Sequence, residues 1–268
     1  MTAFGVAPPK QMTVQRDRQR AVERVIEAMT EHLDKRFSLE KFASIALFSP
    51  YHFHRVFRQV TGVPPGHFFT ALRIDLAKRL LLTSDLSVTE ICYAVGYLSL
   101  GTFTSQFTRL VGISPRRLRR LMHSDDWTGL ATLELPHVDL GAQPAVRGRI
   151  AVGHHEPAAL VAVGLFPSRL AQGRPAGCTL ASAPGEYELS ATRAGVFHVL
   201  AVSLGPDGHW NDLTLDECHT LVAATATPVR VHLGQPVHVD LVLRPRRVTD
   251  PPILLAPALL LQRSVAAA

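Results

Sequence analysis

The first 126 residues carry one pattern of apolar and turn-forming residues twice, which constrains this stretch to two copies of a small helical unit. The first copy runs Ser38, Leu39, Phe42, Ala43, Ala46, then Phe53, Val56, Phe57, Gly62 and Pro65. The second runs Ser87, Val88, Ile91, Cys92, Val95, then Phe103, Phe107, Gly112 and Pro115. Phe53 and Phe103, Phe57 and Phe107, Gly62 and Gly112, and Pro65 and Pro115 are each 50 apart, whereas Ser38 and Ser87, and Phe42 and Ile91, are 49 apart. The second copy therefore has one extra residue in the turn between its two helices. A repeated pair of short helices in a basic segment points to two DNA-reading units in one chain.

Charge divides the chain in the same place. Residues 1–126 hold 18 Lys and Arg against 11 Asp and Glu, while residues 127–268 hold 10 against 11. A basic half suits a polyanion, and a near-neutral half suits a small molecule or a protein surface. Cys92, Cys178 and Cys218 are too few and too scattered for a disulfide framework, which fits a reducing cytosol. The opening Met1 to Met12 has no basic-then-apolar signal pattern, and the longest strongly apolar stretch, Ile253 to Leu261, is interrupted by Pro257. That stretch falls well short of the roughly 20 residues a membrane span needs, so a soluble protein is expected.

Periodicity predicts an amphipathic helix from Arg16 to Lys35, with Val22, Val25, Ile26, Met29 and Leu33 inward. Ser38 and Ser49 are placed as N-caps, Pro50 as a first-turn proline, and Gly62 as a left-handed helix end. Lys41 stands where a capping-box Glu would be. A longer helix follows Pro65, with Phe69, Leu72, Leu76 and Leu80 inward and an end near Thr83. Its roughly 19 residues span about 28 Å at 1.5 Å per residue. That is near the roughly 34 Å between successive major-groove faces on one side of DNA, so such a connector can hold two reading helices in register. A last helix from Pro115 carries Arg116, Arg117, Arg119 and Arg120.

Beyond Met122 the apolar period becomes alternating. Six strands are expected, at Val146 to Val152, Ala159 to Phe166, Tyr187 to Leu189, Val196 to Leu204, Val229 to Leu233 and Val237 to Leu243. Glycine and proline breaks between them suggest an antiparallel sandwich. A short strand around Leu133, a helical element at Leu215 to Ala224 and a docked helix at Ile253 to Leu261 complete the reading. The fold class expected is multidomain, an all-α N-terminal domain of two helix-turn-helix units joined by a long helix, followed by an all-β sandwich. Its boundaries are 16–123 for the helical domain, 124–145 for a linker, 146–248 for the sandwich and 249–268 for the apolar C-terminal segment.

The stretch from Phe37 to Leu121 resembles the DNA-binding domain of AraC/XylS-type transcription regulators. The first unit contributes Ser49, Pro50, Tyr51, His52, Phe53, His54, Arg55, Val56 and Phe57. The second contributes Ala94, Val95, Gly96, Tyr97, then Gly101 to Phe107, ending in Gly112, Ile113, Ser114 and Pro115. The resemblance implies that the second helix of each unit enters the major groove. Outward positions are then Tyr51, His54, Arg55 and Arg58 on the first, and Gly101, Thr102, Thr104, Ser105, Thr108 and Arg109 on the second. Arg55 is the leading base contact, since a guanidinium can donate two parallel bonds to guanine O6 and N7; a phosphate or solvent contact is the plainer alternative. The family commonly has Arg where Ser105 stands and a polar reader where Gly101 stands, so the first unit is expected to carry more of the discrimination. Gln106 is a substitute reader if the helix is rotated.

The resemblance also implies double-stranded DNA and RNA polymerase as partners, with a small-molecule effector and a homodimer left open; no cofactor and no membrane partner is expected. Family members usually place this domain last, whereas here it comes first. The C-terminal part resembles carboxypeptidase-regulatory or transthyretin-like sandwiches, through Ala194 to Ala201 and Val231 to Leu241, and that fold dictates no activity.

His154, His155 and Glu156, and His198, His232 and His238, invite a metal reading, but their spacings match no zinc pattern. Cys178 and Cys218 are redox sensors only if exposed beside positive charge, and Cys92 falls in a helical stripe where packing explains it. No phosphate loop, nucleophile elbow or carboxylate pair is present, so no catalytic residue is assigned. The alternative from another class is a small-molecule enzyme localised to DNA by its helical module.

Overall fold

The computed structural model describes residues 9–123, 144–153, 159–204 and 220–255. Seven helices come first: α1 (Pro9–Glu31), α2 (Leu39–Ala46), α3 (Pro50–Thr61), α4 (Pro65–Thr83), α5 (Val88–Ala94), α6 (Leu100–Val111) and α7 (Pro115–His123). Ser38 and Ser87 cap α2 and α5, and in the second unit Glu90 completes a reciprocal capping box. The extra residue of the second copy is Leu98. Leu47 and Gly96 are 49 apart and both left-handed, and the bonds Phe48 N–H to Ala43 O and Tyr97 N–H to Cys92 O match, whereas Ser49 and Ser99 are 50 apart.

The long helix departs from its predicted face. Leu72, Leu76 and Leu80 are only partly buried, and the sealed positions include Phe68, Ala71, Ile74, Ala77, Lys78 and Leu81. α4 is packed from several sides. Phe68 and Phe69 join α1, α2 and α3 in one core, while Ala71, Ile74, Ala77 and Leu81 join α5 and α6 in another. A helix covered this way lacks a single apolar stripe, so its inward face is not readable from period alone.

The second core continues into the C-terminal part. That part holds β1 (Val146–Val152), β2 (Ala159–Phe166), β3 (Cys178–Ala183), β4 (Gly185–Leu189), β5 (Gly195–Ser203), β6 (Leu221–Ala224), β7 (Val229–Val231), β8 (Val237–His238) and β9 (Leu241–Pro245). The strand path is β3-β2-β5-β6-β9-β1-β4, with β7 beside β5 and β8 beside β1. Its two ends, β3 and β4, adjoin in sequence, so the sheet curls nearly closed.

Five expectations are corrected here. Leu221–Ala224 is a strand rather than part of a helix, because pairing with β5 and β9 outweighs the helix preference of Leu and Ala. The pairing is not wholly antiparallel, since β1 runs parallel to both β8 and β9. The single strand expected at Val237 to Leu243 is two, separated at Val239 and Asp240. β3 was not anticipated. Ile253 to Leu255 are not helical, though Leu254 and Leu255 are buried in the core shared with the helices. The linker at 124–143, the strand around Leu133, residues 215–219, and Ala256 onward lie outside the described residues.

β2 and β5 read as nearly unbroken apolar runs because both faces are covered. Val161, Val163 and Leu165 with Val199 and Ala201 line the core between strands. Ala162 and Phe166 with Leu200 and Val202 face the helical domain's core. The two parts are also bonded directly: the Lys78 ammonium donates to Ile253 O at 2.7 Å, and Gly173 N–H donates to Leu110 O at 2.6 Å.

Candidate nucleic-acid interface

α3 and α6 are assembled by the same local rules. The Ser49 and Ser99 hydroxyls accept from the N–H of His52 and Thr102, each at 3.4 Å, and Gly62 and Gly112 close the helices at φ 78° and 93°. Phe53 and Phe57, like Phe103 and Phe107, are sealed inside, which fixes each helix about its axis and decides what it presents to solvent.

On α3 that outer face holds Tyr51, Arg55 and Arg58, with His54 half-buried at its flank. Tyr51 is 83% exposed, so its ring contributes almost nothing to the core and is free for a partner. Arg55 Nη2 lies 3.4 Å from His52 Nδ1, a loose tether that leaves the guanidinium in solvent. On α6 the matching face holds Gly101, Thr102, Ser105, Thr108 and Arg109, with Thr104 half-buried. The Thr108 hydroxyl donates to Thr104 O at 2.7 Å, so only its lone pairs face outward. A side chain added at Gly101 would find nothing nearer than Ser99 Oγ at 3.7 Å, so this end of α6 is open rather than crowded. Gln106 is already engaged: its Oε1 accepts from the Tyr97 hydroxyl at 2.7 Å. Burial pushes that phenol up to about 12, keeping it a donor at neutral pH.

The sequence reading missed the residue that ties the two units together. Arg73 projects from α4, donating through Nε to Leu33 O at 2.8 Å and through Nη2 to Lys35 O at 2.7 Å, just beyond the end of α1. The same guanidinium stacks over Phe69 at 4.4 Å and lies 6.0 Å from the Tyr97 ring of the second unit. Burial lowers its pKa from the ordinary arginine value, but an arginine stays charged. Gly96 sits against this clamp, where an added Cβ would stand 2.6 Å from Leu33 O and 2.8 Å from Asp34 O. A cation among apolar helix positions was the signal available, although nothing local names its acceptors.

The metal and thiol candidates do not converge. Among the described residues, no group of three His, Cys, Asp or Glu side chains could hold a metal. His238 Nε2 is 3.0 Å from Asp240, His232 is exposed, and His198 contacts Thr225 O at 3.3 Å. Cys92 and Cys178 are buried, and burial raises the Cys92 thiol. His154, His155, Glu156 and Cys218 lie outside the described residues. No helix among the described residues is long and apolar enough to cross a membrane.

Residues 42–121 match a family model described as a helix-turn-helix domain. The chain is 33% identical over 94 residues to the uncharacterized HTH-type transcriptional regulator YobQ of Bacillus subtilis, covering 35% of this chain and 39% of that protein. It is 29% identical over 105 residues to the bifunctional transcriptional activator/DNA repair enzyme AdaA of the same organism, covering 38% and 50%. The chain thus spans half or less of the length of these relatives. The DNA-binding domain of AdpA, a global transcriptional factor solved in complex with a target DNA, is 35% identical, with 37% of this chain and 90% of that chain covered at a TM-score of 0.36.

Proposed function

We propose that this chain is a sequence-specific, AraC-type DNA-binding transcription regulator that lays α3 and α6 into adjacent major-groove segments of one duplex. The observation that carries the reading is the pair of equivalent outward faces, set by buried phenylalanines and locked to each other through α4 and Arg73. Two like helices held at fixed separation suit a periodic polyanion, and the excess of basic residues in this half supports it. The helix-turn-helix model matched at residues 42–121 and the regulators similar in sequence support it further.

In this reading Arg55 contacts a guanine edge from α3, with Tyr51, His54 and Arg58 around it. α6 contributes shorter contacts, Gly101, Thr102, Thr104, Ser105 and Thr108 with Arg109, more to backbone than to bases. The C-terminal strands form a sandwich for an effector or protein contact, with RNA polymerase and a second copy of the chain as further partners. Replacing Arg55 with Ala tests the assignment in a competition assay between the preferred duplex and single-base variants. Discrimination at one position should fall by about 1–3 kcal/mol, with smaller change at the others. Equal loss on every duplex would make Arg55 a phosphate contact and overturn its role as reader.

A further inference from the structure

Between the strands and the C-terminal segment lies a cavity unrelated to the α3 and α6 faces. Phe166, Leu200 and Val222 wall it from β2, β5 and β6, and Ile253 and Leu255 wall it from the opposite side. Its interior volume is about 70 Å³. The C-terminal wall is seated firmly, since the N–H groups of Leu254 and Leu255 donate to Ala171 O at 2.9 and 3.3 Å and Ile253 O accepts from Lys78.

Among the described residues, three charged side chains, Arg169, Arg244 and Asp250, interrupt the apolar lining. Two of them satisfy each other: Arg244 grips Asp250 with paired bonds of 2.7 Å, and the N–H of Arg247 donates to the same carboxylate at 2.8 Å. Arg169 stands beside this pair, and its charge helps to keep the Asp250 carboxylate ionised. Among the described residues, two guanidiniums against one carboxylate leave the lining with one positive charge in excess, which favours an anionic occupant and repels a cationic one.

We infer that this cavity is a binding site for a small amphipathic monoanion, an apolar body carrying one carboxylate that accepts from Arg169. Guanidinium geometry suits a carboxylate, and the surrounding apolar side chains suit its hydrocarbon. The occupant would also adjoin the reading unit. A methyl added at Gly62, the residue closing α3, would run into the Arg169 side chain, so that side chain spans from the cavity to the end of the helix.

The site stands apart from the DNA reading and is tested without DNA. Hexanoate, 1-hexanol and hexylamine are titrated against the full chain by ligand-observed saturation-transfer NMR. Hexanoate should bind saturably and about tenfold or more tightly than 1-hexanol, with hexylamine not binding, because charge-assisted bonds are the strong ones. Arg169→Gln should bring hexanoate down to the level of the alcohol. Val222→Phe, which fills the cavity and leaves Arg169 in place, should remove both. No hexanoate binding, equal affinity for acid and alcohol, or undiminished hexanoate binding in either variant would overturn the site.

Discussion

Replacing Gly96 with Ala is expected to destabilise the helical domain by roughly 3–6 kcal/mol, a large part of the roughly 5–15 kcal/mol that holds an ordinary domain together. Two costs combine. Gly96 has φ 77°, where an L side chain is strained, and its new Cβ would press on the carbonyls of Leu33 and Asp34. Those backbone atoms cannot retreat without stretching the Arg73 bonds to Leu33 O and Lys35 O. The equivalent position in the first unit shows which cost matters more. Leu47 is also left-handed, at φ 58°, and tolerates it at a position that is 84% exposed. Urea unfolding checks the expectation, with Gly101→Ala as the uncrowded control. An unchanged midpoint for Gly96→Ala would mean that the clamp between the units carries little stability.

Affinity for duplex DNA is expected to fall about 150-fold between 50 and 200 mM monovalent salt, if the exposed arginines of α3, α6 and α7 other than the base reader Arg55 each neutralise one phosphate. Those residues are Arg58, Arg109, Arg116 and Arg120. Each phosphate neutralised contributes about 0.9 to the logarithmic salt slope, so four give about 3.6. Arg58→Gln should lower the slope by about 0.9 without changing which duplex is preferred. Fluorescence anisotropy across a salt series measures both. A flat series would remove counterion release, and with it the role of this arginine surface.

α3 and α6 were legible because their determinants are local. Ser49 and Ser99, the phenylalanine pairs, and Gly62 and Gly112 each act within one turn, so period and capping located α3 and α6 and their outward residues. The residues that join these helices act over long sequence distances and were not legible. Arg73 meets acceptors 38 and 40 positions away. α4 shows no single apolar face because it is packed by both units. In the strand half, unbroken runs such as Val161 to Phe166 announced themselves, but β3 is built from small residues with little β preference. The Leu-Val-Ala-Ala of β6 favours a helix until β5 and β9 pair with it. Parallel pairing of β1 with β9 leaves no local mark at all. The Arg169 cavity was likewise invisible, since its walls come from three strands and a distant segment.

Selection of bound fragments from a random duplex pool tests the central claim most directly, that α3 and α6 read one duplex together. Two conserved blocks should emerge with centres about one helical turn, or 10 base pairs, apart, and the more sharply defined block should lose its guanine preference in Arg55→Ala. Enrichment of a single block, or of two blocks at variable spacing, would contradict a rigid pair of readers.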